Sequence, residues 1–166
     1  MKDAFPPVAS LNARTLILGT MPSEISLERQ EYYGNPRNQF WRIMQAVFDV
    51  PLEAPYAARL VGLGQKQIAL WDVLQSCERV GSLDSTIQNA VPNDFSGMFT
   101  EHPNLKVLAF NGKKAAEWFE KWARVDTTGF QKLVLPSSSP AAALAFDKKV
   151  TAWAVLRTPS ANSEIP

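Results

Sequence analysis

Two tyrosines, a turn through Gly34 and Pro36, Arg37 and the amides Asn35, Asn38 and Gln39 come immediately before a helical pattern in the stretch Tyr32-Tyr33-Gly34-Asn35-Pro36-Arg37-Asn38-Gln39-Phe40-Trp41. Aromatic faces grip planar ligands, and a carboxamide can orient water or read a donor-acceptor edge. The loop is suited to holding something planar. It follows the apolar run Leu16-Ile17-Leu18, which ends in Gly19-Thr20-Met21-Pro22-Ser23. A buried strand that runs out into glycine and proline, then into a polar aromatic loop, is the layout of a ligand site in an open α/β sheet.

The chemistry such a site could do is narrowed by what the chain lacks. The only histidine, His102, stands before Pro103 near the end of a helical piece and reads as a helix-end residue, so no Ser-His-Asp triad has a base. Asp72 and Asp84 read as structural partners for loop backbone or Arg79 rather than as a catalytic carboxylate pair. Neither a phosphate-binding Walker pattern nor a dinucleotide fingerprint is present. What remains is a site of neutral amides, hydroxyls, glycines and prolines. It suits a reaction needing little proton abstraction, in which a bond breaks dissociatively before a weakly activated water adds.

Four short apolar runs read as the strands that must position these residues: Thr15–Gly19, 68–73, 106–110 and 132–135. Each is nearly continuous in hydrophobicity, as expected of strands buried on both faces. Helical spacing relates Phe40, Ile43, Met44, Val47 and Phe48, then Ala115, Trp118, Phe119 and Trp122, then Phe146, Val150, Trp153 and Ala154. A further helical piece lies around 56–63, and Pro92-Asn93-Asp94 opens another with Asn93 as its N-cap. The alternation predicts an α/β fold, a three-layer α/β/α sandwich on a central four-stranded parallel sheet. Ligand-binding residues then fall beyond the strand ends, at 19–23, 72–84, Asn111-Gly112 and 136–142.

At 166 residues the chain is expected to form one domain over 1–158 with a loose tail over 159–166. A single cysteine, Cys77, excludes an internal disulfide and a cysteine-based zinc site. No stretch is apolar enough for a signal peptide or a membrane span, so a cytoplasmic location without membrane contact is expected. A formal charge of +1 counts against a non-specific coat on nucleic acid, but not against an enzyme gripping a few phosphates.

The residues also match a known pattern. The segments Gly19-Thr20-Met21-Pro22-Ser23, Tyr32 to Trp41, Asp72-Val73-Leu74 with Gly81-Ser82-Leu83-Asp84, Phe110-Asn111-Gly112 and Leu135-Pro136-Ser137-Ser138-Ser139-Pro140-Ala141 resemble, in order, the uracil-DNA glycosylase superfamily. The branch they resemble is that of the hypoxanthine-DNA glycosylases, also called DNA-deoxyinosine glycosylases. The resemblance implies cleavage of the bond between sugar and deaminated base in DNA, with no metal or organic cofactor. Its partner is DNA carrying a deaminated base, acted on by a monomer. In that pattern Asn38 matches the amide implicated in placing the attacking water, and Asn111 matches the base-reading amide. Residues 136–142 match the loop that enters the duplex where the flipped nucleotide has left.

Alternatives stand beside each role. Asn38 either aims water or caps the helix at Phe40 and Trp41; Asn111 either reads the base or satisfies turn backbone. Tyr32 and Tyr33 flank the flipped base or pack in the core, with Gly34 leaving room for a bicyclic base and Gly19, Met21 and Pro22 completing the base pocket. Ser137, Ser138, Ser139, Pro140 and Ala141 form a phosphate-binding wedge or a plain connection, and Arg37 and Lys113 are the basic contacts. The chain departs from the pattern at Met21, where an acidic or amide residue is common, in lacking a strand-four histidine, and at Asn35, where the branch often has histidine. These departures argue against narrow uracil removal. A broad mismatch uracil glycosylase and a non-catalytic lesion binder are the competing readings.

Overall fold

The computed structural model describes residues 1–157; the tail expected over 159–166 lies outside them. In chain order the elements are β1 (Lys2–Asp3), β2 (Thr15–Gly19), α1 (Glu24–Arg29), α2 (Phe40–Phe48), α3 (Tyr56–Gln65), β3 (Ile68–Asp72), β4 (Leu74–Glu78), β5 (Gln88–Pro92), α4 (Phe95–Glu101), β6 (Val107–Asn111), α5 (Lys113–Trp122), β7 (Gln131–Leu135) and α6 (Phe146–Trp153). Strands β3-β2-β6-β7 form the central sheet in that order, every pair parallel. The expected four-stranded parallel sheet is therefore present.

Period-two alternation sorts the strand residues onto two faces. Ile17, Ile68, Leu70, Val107 and Ala109 join one core cluster with the apolar stripe of α2, Leu63 of α3 and Trp153 of α6. Their neighbours Leu16, Leu18, Ala69, Trp71, Leu108 and Phe110 join a second with Phe95 and Met98 of α4 and Ala115 and Phe119 of α5. Helices thus cover both faces of the sheet. β7 departs from the reading of strands buried on both sides. It is an edge strand, and Val134 is 54% exposed.

Two further differences concern the elements around the site. The stretch after β3 is not simply a loop: β4 and β5 pair antiparallel, with β1 on the outer side of β4, into a small second sheet. The N-cap of α4 is Asp94, whose side chain accepts from the Gly97 N–H at 2.9 Å, while Asn93 instead donates to the Asp72 carbonyl at 2.7 Å. His102 ends α4, with Nδ1 3.0 Å from the Met98 carbonyl, in keeping with a helix-end histidine. Among the described residues no helix is long and apolar enough to cross a membrane.

Candidate active site

The chain passes from β2 to β3 on one side, then returns to β6 on the other. The two connections diverge at the carboxyl ends of β2 and β6, where open α/β sheets hold their ligands. A cavity of about 390 Å³ opens there, within the range of small-molecule sites. Its wall takes Gly19, Met21 and Pro22 from the end of β2, Asp72 from β3, Asn111 from β6, Lys113 from α5 and Ser137 to Pro140 from beyond β7. The loop before α2 adds Tyr32, Tyr33, Asn35 and Asn38.

Asn111 is held by a single residue. Its Oδ1 accepts from the Ser138 backbone N–H at 2.8 Å, and its Nδ2 donates to Ser138 Oγ at 2.9 Å. A backbone N–H cannot turn into an acceptor, so the carboxamide has one orientation. One Oδ1 lone pair and one Nδ2 proton remain. Gly112 makes the close approach feasible: at φ 98° it has a backbone conformation rare for other residues, and a Cβ there would stand 3.0 Å from Ser137 Cβ.

The two tyrosines diverge. Tyr32 is a core residue, its ring edge-on to Phe5 and its hydroxyl donating to the Pro6 carbonyl at 2.8 Å, so only its margin meets the cavity. Most of its ring is thereby committed to the core. Tyr33 sits at φ 55°, an uncommon conformation for a bulky residue. That turn lays its ring on Phe40, centroids 3.9 Å apart at 18°, and buries its hydroxyl beside Gly19 with no partner in full hydrogen-bond geometry; the nearby Asn111 carboxamide favours the ionised hydroxyl, but burial outweighs it. Phe40 and Trp41 are core, as expected.

Gly34 is not part of the cavity wall. A Cβ there would meet the Glu31 carbonyl at 3.2 Å and Ser26 Cα at 3.4 Å, and its N–H donates to Ser26 Oγ. Its smallness serves the packing of the loop on α1, not the entry of a bicyclic base. Asn38 lines the cavity, and its Oδ1 accepts the Phe40 N–H at 2.9 Å at the start of α2, one residue before the N-cap Gln39. Arg37 and Ala141 are exposed and outside the cavity wall.

The hydroxyl-rich loop is tied down from behind. Gln39 N–H donates to the Ser138 carbonyl at 3.0 Å. Lys149 of α6, fully buried, donates through Nζ to Gln39 Oε1 at 2.8 Å and to the carbonyls of Ser139 and Ala142 at 3.3 and 3.4 Å. Burial pulls its pKa below the ordinary lysine value. Sequence reasoning missed this lysine, although its place three residues after Phe146 and four before Trp153 sets it on the apolar face of α6.

Asp72 differs from the expectation of a structural partner for loop backbone or Arg79. It is only 4% exposed, its Oδ2 has no hydrogen-bond partner, and no hydrogen bond joins it to Arg79 or to loop N–H groups. Burial raises its pKa to about 7, opposed by the Arg79 charge and aided by that of Asp84. Asp84 does fit the structural expectation, pairing with Arg79 at 3.3 Å and accepting from Thr20 at 3.2 Å. Arg79 also donates to the Pro22 and Gly81 carbonyls, which anchors the β4–β5 connection over the end of β2. The missed signal was an aspartate closing the unbroken apolar run Ile68-Ala69-Leu70-Trp71.

A three-layer fold with a cavity at the switch point of its sheet is that of a ligand-binding α/β protein, and the sequence comparison gives its class. The model of the uracil DNA glycosylase superfamily matches residues 6–157, and the chain belongs to that superfamily. It is 42% identical to a hypoxanthine DNA glycosylase of Methanosarcina acetivorans over 85% of this chain and 88% of that one. It is 37% identical to a hypoxanthine DNA glycosylase of Methanosarcina barkeri over 92% and 96%. A solution NMR structure of a Methanosarcina acetivorans protein assigned to the uracil DNA glycosylases superposes with a TM-score of 0.82 at 40% identity, covering 94% of this chain and 96% of that one.

Proposed function

We propose that this chain is a monofunctional DNA glycosylase that removes deaminated bases, hypoxanthine first, by hydrolysing the N-glycosidic bond and leaving an abasic site. The observation that carries the reading is the fixed Asn111 carboxamide. Its spare lone pair and spare N–H suit the N1–H and O6 of hypoxanthine. Adenine offers the opposite polarity on that edge, and turning the amide over would set two donors against each other at Ser138. Uracil carries the same lactam pattern through N3–H and O4, so uracil removal is a secondary activity. Guanine shares the N1–H and O6 pair, but its Watson–Crick pairing resists extrusion more than a mispaired inosine does.

Asn38 aims water at the sugar through its second Oδ1 lone pair, since an amide orients water well and abstracts protons poorly. Tyr33, with Gly19, Met21 and Pro22, walls the base. Ser137, Ser138, Ser139, Pro140 and Ala141 meet the duplex, and Arg37 and Lys113, both exposed, contact phosphates. The unit is a cytoplasmic monomer with a single domain over 1–158; the two core clusters packed on one sheet support the single domain.

Incubation with duplexes carrying one deoxyinosine, deoxyuridine or deoxyxanthosine, followed by alkali, tests the proposal. Strand breaks at deoxyinosine are expected to form fastest. Binding without breaks on any of the three would leave a lesion-binding module.

A further inference from the structure

We infer that Asp72 is a general acid of this site, delivering a proton to the base as it departs. The inference rests on the glycosylase reading above and goes beyond the amides Asn38 and Asn111. Its carboxyl group stands in the cavity wall at the end of β3, in register with Gly19 of β2. The position where a Gly19 Cβ would lie is 2.6 Å from Asp72 Oδ1 and 3.2 Å from Tyr33 Oη. Only a glycine leaves both groups in place. Asp72 Oδ2 and Tyr33 Oη are the buried side-chain polar atoms without a hydrogen-bond partner among the described residues, and they share this one wall.

Two unpartnered polar atoms in a buried wall are costly unless something else completes them. A flipped base does so. With its N1–H and O6 edge taken by Asn111, a hypoxanthine still presents ring nitrogens as acceptors, and a neutral carboxyl group is a matching donor. Groups facing Asp72 agree with a neutral form: Tyr32 and Tyr33 supply no positive charge, Asp84 opposes ionisation, and Arg79 favours it but is already occupied by Asp84 and two carbonyls. Lys113 and Lys114 stand exposed at the rim, where water screens them. A base filling the cavity removes water and favours the neutral acid further.

The step balances simply. The glycosidic electron pair leaves with the base nitrogen while the sugar carbon gains oxocarbenium character, and the Asp72 proton passes to an acceptor nitrogen of the base. Water then bonds to the sugar carbon, its surplus proton goes to solvent, and solvent reprotonates Asp72.

Single-turnover excision from a deoxyinosine duplex, followed from about pH 5.5 to about pH 9, tests this. The wild-type rate is expected to fall above about pH 7 and to show a normal solvent deuterium isotope effect. Asp72→Asn is expected to be slower by roughly 10²-fold, to lose the alkaline limb and the isotope effect, and to keep its affinity for the lesion. A wild-type rate that is flat or rises through neutrality overturns the inference even if no variant folds. So does an Asp72→Asn protein with unchanged rate and profile. Wild-type protein inactive on deoxyinosine, deoxyuridine and deoxyxanthosine alike removes the glycosylase reading and the inference together, whereas an active wild type with an indifferent variant removes only the inference.

Discussion

Ser138 grips Asn111 at both ends of its carboxamide, through its own N–H at 2.8 Å and its own hydroxyl at 2.9 Å. A carboxamide can discriminate a donor-acceptor edge only if it cannot rotate, and here the partner that fixes it lies 27 residues further along the chain. Ser138→Ala removes the hydroxyl and leaves the backbone N–H, so the orientation should survive with a weaker hold. We expect a loss of about 1 kcal/mol, up to tenfold in kcat/KM on deoxyinosine. Asn111→Ala should lose 10²-fold or more, on the order of 3 kcal/mol, because the base edge is left unpaired. Steady-state rates on deoxyinosine and undamaged adenine duplexes check both.

Asn38 accepts the Phe40 N–H and is proposed to aim water, and one substitution can separate the two. Asn38→Ala should abolish turnover while lesion binding is retained, and should also cost about 1 kcal/mol by releasing the Phe40 N–H. Asn38→Asp keeps the cap. If its stability is restored while the rate stays low, the amide's role in aiming water is distinct from capping. Single-turnover rates, gel-shift affinities and urea midpoints measure the three quantities. Activity surviving in Asn38→Ala would falsify the assignment.

Gly112→Ala should destabilise by roughly 1–3 kcal/mol, since φ 98° is unsuited to a side chain and the new methyl would press on Ser137 Cβ at 3.0 Å. The displaced loop should also lower activity beyond what the stability loss explains. Thermal midpoints and excision rates at a temperature well below unfolding distinguish the two effects.

Asp72 predicts an unusual pH dependence of stability. Its folded pKa of about 7 lies above the 3.8 of an unperturbed aspartate, so the folded chain binds the proton more tightly. The stabilising contribution is complete below about pH 4 and is lost as pH rises through about 7, which amounts to roughly 2–4 kcal/mol. Asp72→Asn should therefore be more stable than wild type at pH 8 and lose that slope. Urea midpoints at pH 5 and pH 8 decide it. A variant that gains stability while losing turnover would show a site kept at the expense of the fold.

Lys149→Met should cost roughly 1–3 kcal/mol, because three oxygens lose their donor and two of them belong to the loop after β7, the proposed duplex contact. Faster hydrogen exchange is expected at Gln39 and over residues 139–142, with weaker duplex binding. Protection unchanged at these amides would show that the lysine merely fills space.

Much of the architecture was legible in the sequence, because buried parallel strands announce themselves as unbroken apolar runs and their ends locate the site. Thr15–Gly19 needed no correction. The β4–β5 hairpin was not legible: Leu74–Glu78 lacks clean alternation in burial, and Gln88–Pro92 mixes polar and apolar residues, is largely exposed and lies at an edge. The tyrosines could not be separated by sequence, since one left-handed residue sends adjacent rings to different places. Asp72 was undervalued for a related reason. Residue type reveals a carboxyl group, but only the packing around it reveals that its Oδ2 has no hydrogen-bond partner.

The bond from Gln39 N–H to the Ser138 carbonyl joins the turn carrying Asn38 to the loop holding Asn111, and Lys149 braces the same junction. Anyone wishing to redirect this protein to another base therefore inherits a constraint on library design. Varying the turn before α2 alone, or the loop after β7 alone, strands its counterpart. Productive variants should come from pools in which residues 38–39, 138–139 and 149 are randomised together.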